Sequence, residues 1–109
     1  MNADEYQRSA VEFLNIEVRG SDVLTNAVLG LNGESGEVAD ELKKILFHGH
    51  MIDVEFFTKE AGDIAWYLAL LCTGLGINLS DVMRLNIEKL SKRYPNRKFS
   101  SERSINRDE

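Results

Sequence analysis

The stretch that decides the fold is Glu34-Ser-Gly-Glu37, twenty-two further residues, then Glu60-Ala-Gly-Asp63. Each acidic pair is spaced i,i+3, which puts both of its carboxylates on one face of a helix. No basic residue stands three or four positions from Glu34, and the neighbours of Glu37 at those distances are Gly33, Glu34, Asp40 and Glu41. Like charges at such spacing destabilise a helix by roughly 0.2–0.5 kcal/mol per pair. A cation shared between them reverses that sign. Hard divalent ions such as Mg²⁺ take carboxylate oxygens and keep positions open for water and substrate phosphates. The pattern therefore predicts two helices with acidic faces. Their four carboxylates, Glu34, Glu37, Glu60 and Asp63, are the candidate metal ligands and catalytic groups, facing a phosphate.

Working outward, the first acidic pair falls in a helix expected over about Val23 to Phe47. Its apolar stripe is Leu24, Val28, Leu31, Val38, Leu42 and Ile45, which alternates steps of four and three except where Ser35 interrupts. With Val38 as reference and 100° per residue, Glu34, Glu37 and Glu41 lie about 40° to 100° to one side, along the border of the buried stripe. Gly30, Gly33 and Gly36 each cost a helix about 1 kcal/mol against Ala. The stripe keeps its phase across them, so the helix is read as continuous, with close approach of another helix or a ligand as one reason for glycine. Lys44, at i,i+3 from Glu41, offers that residue a plain salt bridge.

The second acidic pair falls in a helix expected over about Asp53 to Thr73, capped by Asp53. Lys59 stands i,i+4 from Asp63, a structural alternative for that carboxylate. Residues Ile64 to Cys72 are apolar on every side. A short chain cannot cover all faces of such a helix, so a partner subunit is expected to do so. The loop between the two helices holds His48 and His50, read as surface residues. Neither completes a Glu-x-x-His pair, which disfavours a ferritin-type di-iron site.

A first helix is expected from Asp4 to about Val18 on Tyr6, Ala10, Phe13 and Leu14, with Gly20 as its stop and Ser21 or Asp22 capping the next helix. A fourth is expected from a Ser80 cap to Pro95, which stops it. It carries Asn86 and Lys89 on one face, with Lys92 and Arg93 a turn later. Lys89, Lys92 and Arg93 are the candidates to hold phosphates. Residues 96–109 form a basic tail with Arg97, Lys98, Arg103 and Arg107, expected to be mobile until an anion or an oligomer orders it. Residues 1–95 form the single helical domain.

Composition narrows the classes further. The chain has 109 residues and a net charge of -5, which argues against a general binder of nucleic-acid polymers. The single cysteine, Cys72, lies in an apolar run and excludes an intrachain disulfide. The N-terminus is polar, and the longest apolar run falls far short of the ~18 residues of a membrane span. A cytoplasmic protein with no membrane partner is the expectation.

The segments Leu29 to Lys44, Lys59-Glu-Ala-Gly-Asp-Ile-Ala-Trp-Tyr67 and Asn86-Ile-Glu-Lys-Leu90 resemble the MazG family of all-α nucleoside triphosphate pyrophosphohydrolases. The similarity runs from Tyr6 to Arg107, and the ExxE…ExxD pattern is that family's signature. It implies an all-α four-helix bundle unit completed as a homodimer or homotetramer. It also implies Mg²⁺-dependent cleavage (Mn²⁺ as an alternative metal) between the α and β phosphates, giving a monophosphate and pyrophosphate. Glu34, Glu37, Glu60 and Asp63 match the metal-binding carboxylates, and Asn86 and Lys89 match a polar pair facing the nucleotide phosphates. The alternatives are a relative specialised for dUTP, dCTP or phosphoribosyl-ATP, or a silent helical oligomer that binds nucleotide or protein. Trp66, Tyr67, Phe13 and Phe47 are candidates to stack on a base, though aromatic residues at helical spacing are more often core.

Overall fold

The computed structural model describes residues 1–15, 17 and 21–107. Among them are five helices and no strand: α1 (Ala3–Val11), α2 (Ser21–Phe47), α3 (Val54–Leu75), α4 (Leu79–Arg93) and α5 (Ser101–Ile105). The expected first-helix end at Val18 and stop at Gly20 lie outside the described residues.

The pairing of α2 with α3 is the main packing contact, and α1 lies across α3 and touches α4. Glycine sets how closely the long pair approaches. A Cβ at Gly30 would run into the ring of Tyr67, and one at Gly74 would sit 3.4 Å from the backbone of Leu24. The helix crosses Gly30, Gly33 and Gly36 unbroken, as the phase of its stripe predicts. The stripe is not the centre of burial, however. Val23 and Ala27 are the buried residues of α2, while Val28 and Leu42 stay about half exposed. Small residues sit where the helices come closest.

The centre of α3 joins the two halves of the core. Ala10, Ala69, Cys72 and Leu79 form one cluster and Val23, Ala27 and Leu70 the other, with Trp66 packed against both. Its indole N–H donates to the carbonyl of Ala10 at 2.8 Å. That carbonyl is the one a continuing α1 would offer to Leu14. The Leu14 N–H bonds to Val11 instead, at 3.1 Å, so the helix tightens into a turn and stops short of the expected end. Phe13 is left 80% exposed.

The ends of α3 follow local chemistry. The Asp53 carboxylate accepts from the Phe56 N–H at 3.2 Å, as expected of a cap. Gly76, at φ 72°, closes the other end in the left-handed conformation and returns its N–H to Cys72 and Thr73. The chain then bends by 100° into α4.

The start of α4 corrects the sequence reading. Ser80 does not cap it. Its N–H and hydroxyl both donate to Asp4 of α1, at 3.1 and 2.7 Å. The preceding N–H, of Leu79, donates to the side-chain Oε1 of Gln7 at 2.7 Å. The Gln7 amide also donates to Ile77 O at 3.0 Å. The first two N–H groups of α4 are thus satisfied by a neighbouring helix, and those of Asp81 and Val82 by the Asn78 carbonyl. In the tail, Ser100 caps the short α5 by accepting from the Arg103 N–H.

One chain does not close a four-helix bundle. α4 has no substantial packing on α2. The radius of gyration is 17.0 Å, against about 13 Å for a compact domain of this length. Residues Ile64 to Leu68 and Leu71 of α3 remain half-buried. No single helix among the described residues is long and apolar enough to cross a membrane.

Candidate active site

The α2–α3 pairing brings acidic residues from the two helices together. Oxygens of Glu34, Glu37 and Glu60 lie within 4.8 Å of one another. Glu34 and Glu60 are half-buried, and Oε2 of each is a buried oxygen with no hydrogen-bond partner. An ionised oxygen in that state has lost its water without replacement, which is unfavourable unless a proton or a cation supplies the missing partner. Glu34, then Glu37, then burial push the Glu60 carboxyl up to about 7. A donor set of hard, crowded, partly desolvated carboxylate oxygens suits a divalent cation of the Mg²⁺ type.

Asp63 stands one turn further along α3, is exposed, and falls outside that tight group. Its charge reaches Tyr6 of α1, whose phenol is pushed up by burial first and by Asp63 second. The two structural alternatives from the sequence are not taken. Lys59 pairs with Glu55 at 3.1 Å rather than with Asp63. Lys44 pairs with Asp40 at 3.3 Å rather than with Glu41.

A cleft of about 380 Å³ opens beside the acidic group, lined by Glu37, Glu41, Lys44 and Phe56, with Gly33 and Gly36 as open floor. No atom lies within 4 Å of where a Cβ would stand on either glycine. The glycines therefore keep space clear on the acidic side of α2. The helix phase placed Glu41 on this border, but Phe56 had no signal beyond its place near the start of α3.

The α4 candidates are elsewhere in the chain. Lys89, Lys92 and Arg93 line a second cleft with α5, and Asn86 is exposed on α4. Within one chain they are not gathered with the carboxylates, since α4 packs on α1 and not substantially on α2. Of the candidate stacking residues, Trp66 is fixed by Ala10 and meets Tyr67 edge-to-face at 4.9 Å. Both belong to the core. Phe13 and Phe47 are exposed and touch neither cleft.

Comparison with known proteins places this geometry in a family. Residues 23–98 match the model of the MazG nucleotide pyrophosphohydrolase domain. The chain is 33% identical over 101 residues to the Gene 37 protein of Mycobacterium phage L5, covering 85% of this chain and 89% of that protein. No solved structure matches it significantly. The matched region holds α3 and α4 entire and all but the first two residues of α2, and with them the acidic group: the chain belongs to the MazG nucleotide pyrophosphohydrolase family.

Proposed function

We propose that the chain is a Mg²⁺-dependent nucleoside triphosphate pyrophosphohydrolase, cleaving between the α and β phosphates to release a monophosphate and pyrophosphate. The observation that carries this reading is the Glu34–Glu37–Glu60 group with its two orphaned buried oxygens. In this reading Glu34, Glu37, Glu60 and Asp63 form the acidic set that would hold the ion. When bound, Mg²⁺ (or Mn²⁺) supplies positive charge against the phosphate oxygens as negative charge builds on them. The carboxylate least engaged by the ion orients the attacking water and accepts its proton. Lys44 and the open floor at Gly33 and Gly36 leave room for an anionic substrate beside the acids.

Asn86, Lys89, Lys92 and Arg93 of α4 would hold the leaving phosphates, and this requires a second copy to complete the site. Several observations support a homodimer or homotetramer. The chain is expanded for its length, and α3 is half covered. Met83, Leu85 and Ile87 of α4 are each at least 50% exposed, apolar side chains that a second copy would cover. The acidic chain and the absence of a spanning helix among the described residues accord with a cytoplasmic enzyme of the nucleotide pool.

Glu37→Gln tests the assignment. It removes one carboxylate charge and keeps the shape. The protein is expected to fold, to be more stable than wild type without metal, and to lose turnover by orders of magnitude. Unchanged turnover of triphosphate would overturn the site.

A further inference from the structure

The cleft beside the acidic group is built from more than acid. Its space is about 380 Å³, at the lower end of the ~300–1,000 Å³ usual for small-molecule sites. Three carboxylates line it, and they are not equivalent. Glu37 belongs to the acidic group. Asp40 is tied to Lys43 at 3.1 Å and to Lys44 at 3.3 Å. Glu41 is half-buried and makes no ion pair among the described residues. From α3, Phe56 adds an aromatic ring to the lining. Phe57 meets that ring edge-on, at 5.7 Å and 87°, which restrains it. The cleft thus combines a ring, a bare glycine floor and one unengaged acceptor.

We infer that this cleft is the base subsite, with Phe56 as its stacking platform and Glu41 as the group that selects a base bearing an exocyclic amine. The inference rests on the pyrophosphohydrolase reaction proposed above. The lining sets Glu37, Asp40 and Glu41 against Lys44 alone. Such a surface repels bare phosphate and suits the uncharged end of a nucleotide. A stacked ring holds any base, because every base has a π-face. Discrimination therefore falls to the edge of the base. An ionised carboxylate accepts hydrogen bonds and cannot donate one. It pairs with the amine at C4 of cytosine or C6 of adenine. It repels the carbonyl oxygen that uracil, thymine and hypoxanthine carry at the same place. The position fits as well. Glu37 and Glu41 stand four residues apart on α2, or about 6 Å along its axis, roughly the span of the one sugar between phosphate and base.

Triphosphates that differ chiefly at that group test this: CTP against UTP, dCTP against dUTP and ATP against ITP, followed by pyrophosphate release in Mg²⁺. The amine is expected to be favoured about tenfold in kcat/KM. Glu41→Gln, whose amide both donates and accepts, erases most of that gap. Phe56→Ala raises KM by about tenfold on every substrate and lowers kcat less, and Phe56→Tyr restores KM; helix content verifies that each variant folds. Calorimetric titration with CMP and UMP in Mg²⁺ reads the same contact without turnover. CMP binds more tightly, and Glu41→Gln loses the difference. Equal binding of CMP and UMP overturns the inference, as does a KM untouched by Phe56→Ala. Turnover with no preference for the amine, or a preference unchanged in Glu41→Gln, overturns it and leaves the proposed activity standing. CMP held over UMP through Glu41, in a protein that turns over no triphosphate, would remove the activity and support the subsite.

Discussion

Alanine in place of each of three glycines in α2 is expected to give effects of opposite sign. In a helix interior glycine is about 1 kcal/mol less favourable than alanine. At Gly33 and Gly36 a Cβ meets nothing within 4 Å, so Gly33→Ala and Gly36→Ala should each recover about 0.5–1 kcal/mol. For a chain of this size that raises the melting temperature by several degrees. At Gly30 the same gain is opposed by the Tyr67 ring, which occupies the place of the new Cβ. Tyr67 cannot yield freely, because it packs edge-to-face on Trp66 at 4.9 Å. Overpacking costs about 1–3 kcal/mol, and disturbing the ring pair about 0.5–1.5 kcal/mol more. Gly30→Ala should therefore be destabilised by about 1–3 kcal/mol net. Urea unfolding of the three metal-free variants measures the difference. A stabilised Gly30→Ala, or loss of stability in all three, would refute the packing argument. If the floor at Gly33 and Gly36 admits substrate, the two stabilised variants should also show a raised KM.

Other outcomes follow from the same geometry. Glu60 has its carboxyl raised from near 4.5 to about 7, by Glu34 above all. Its folded form therefore holds a proton more tightly than its unfolded form. That contribution is fully present below about 4.5 and is lost as pH rises through about 7. The metal-free melting temperature should fall across that window more steeply than in Glu60→Gln, and Mg²⁺ should restore it at neutral pH; equal slopes in the two proteins would contradict the assignment. Gln7→Ala strips a partner from the Leu79 N–H and the Ile77 carbonyl. It should cost about 1–3 kcal/mol in urea unfolding, the cost of leaving the buried Leu79 N–H unpaired. Light scattering should give at least twice the chain mass, and a clean monomer would remove the second copy from the site.

Much of the fold was legible because it rests on local signals. The phase of the α2 stripe carried the helix through three glycines, and Asp53 marked the start of α3 by its own side chain. The acidic group was legible for the same reason: i,i+3 spacing fixes which carboxylates share a face, before any packing is known. What the sequence did not reveal depends on partners distant in the chain. Gln7 and Asp4 serve N–H groups of α4 more than seventy residues away, and nothing in the first turn of α1 signals it. Ser80 has the composition of a cap, but its hydroxyl is spent on Asp4. α1 ends early because Trp66 takes the Ala10 carbonyl, again a long-range bond. Lys89, Lys92 and Arg93 were legible as cations for phosphate. Their place beside α5 was not, because the fifth helix is too short to show a period.

The most direct measurement is pyrophosphate release from a panel of ribo- and deoxynucleoside triphosphates, run with Mg²⁺ and with EDTA. The account predicts release of pyrophosphate and monophosphate in equal amounts, only with metal, and lost in Glu37→Gln. Release of single phosphates, or turnover that survives EDTA, would contradict it.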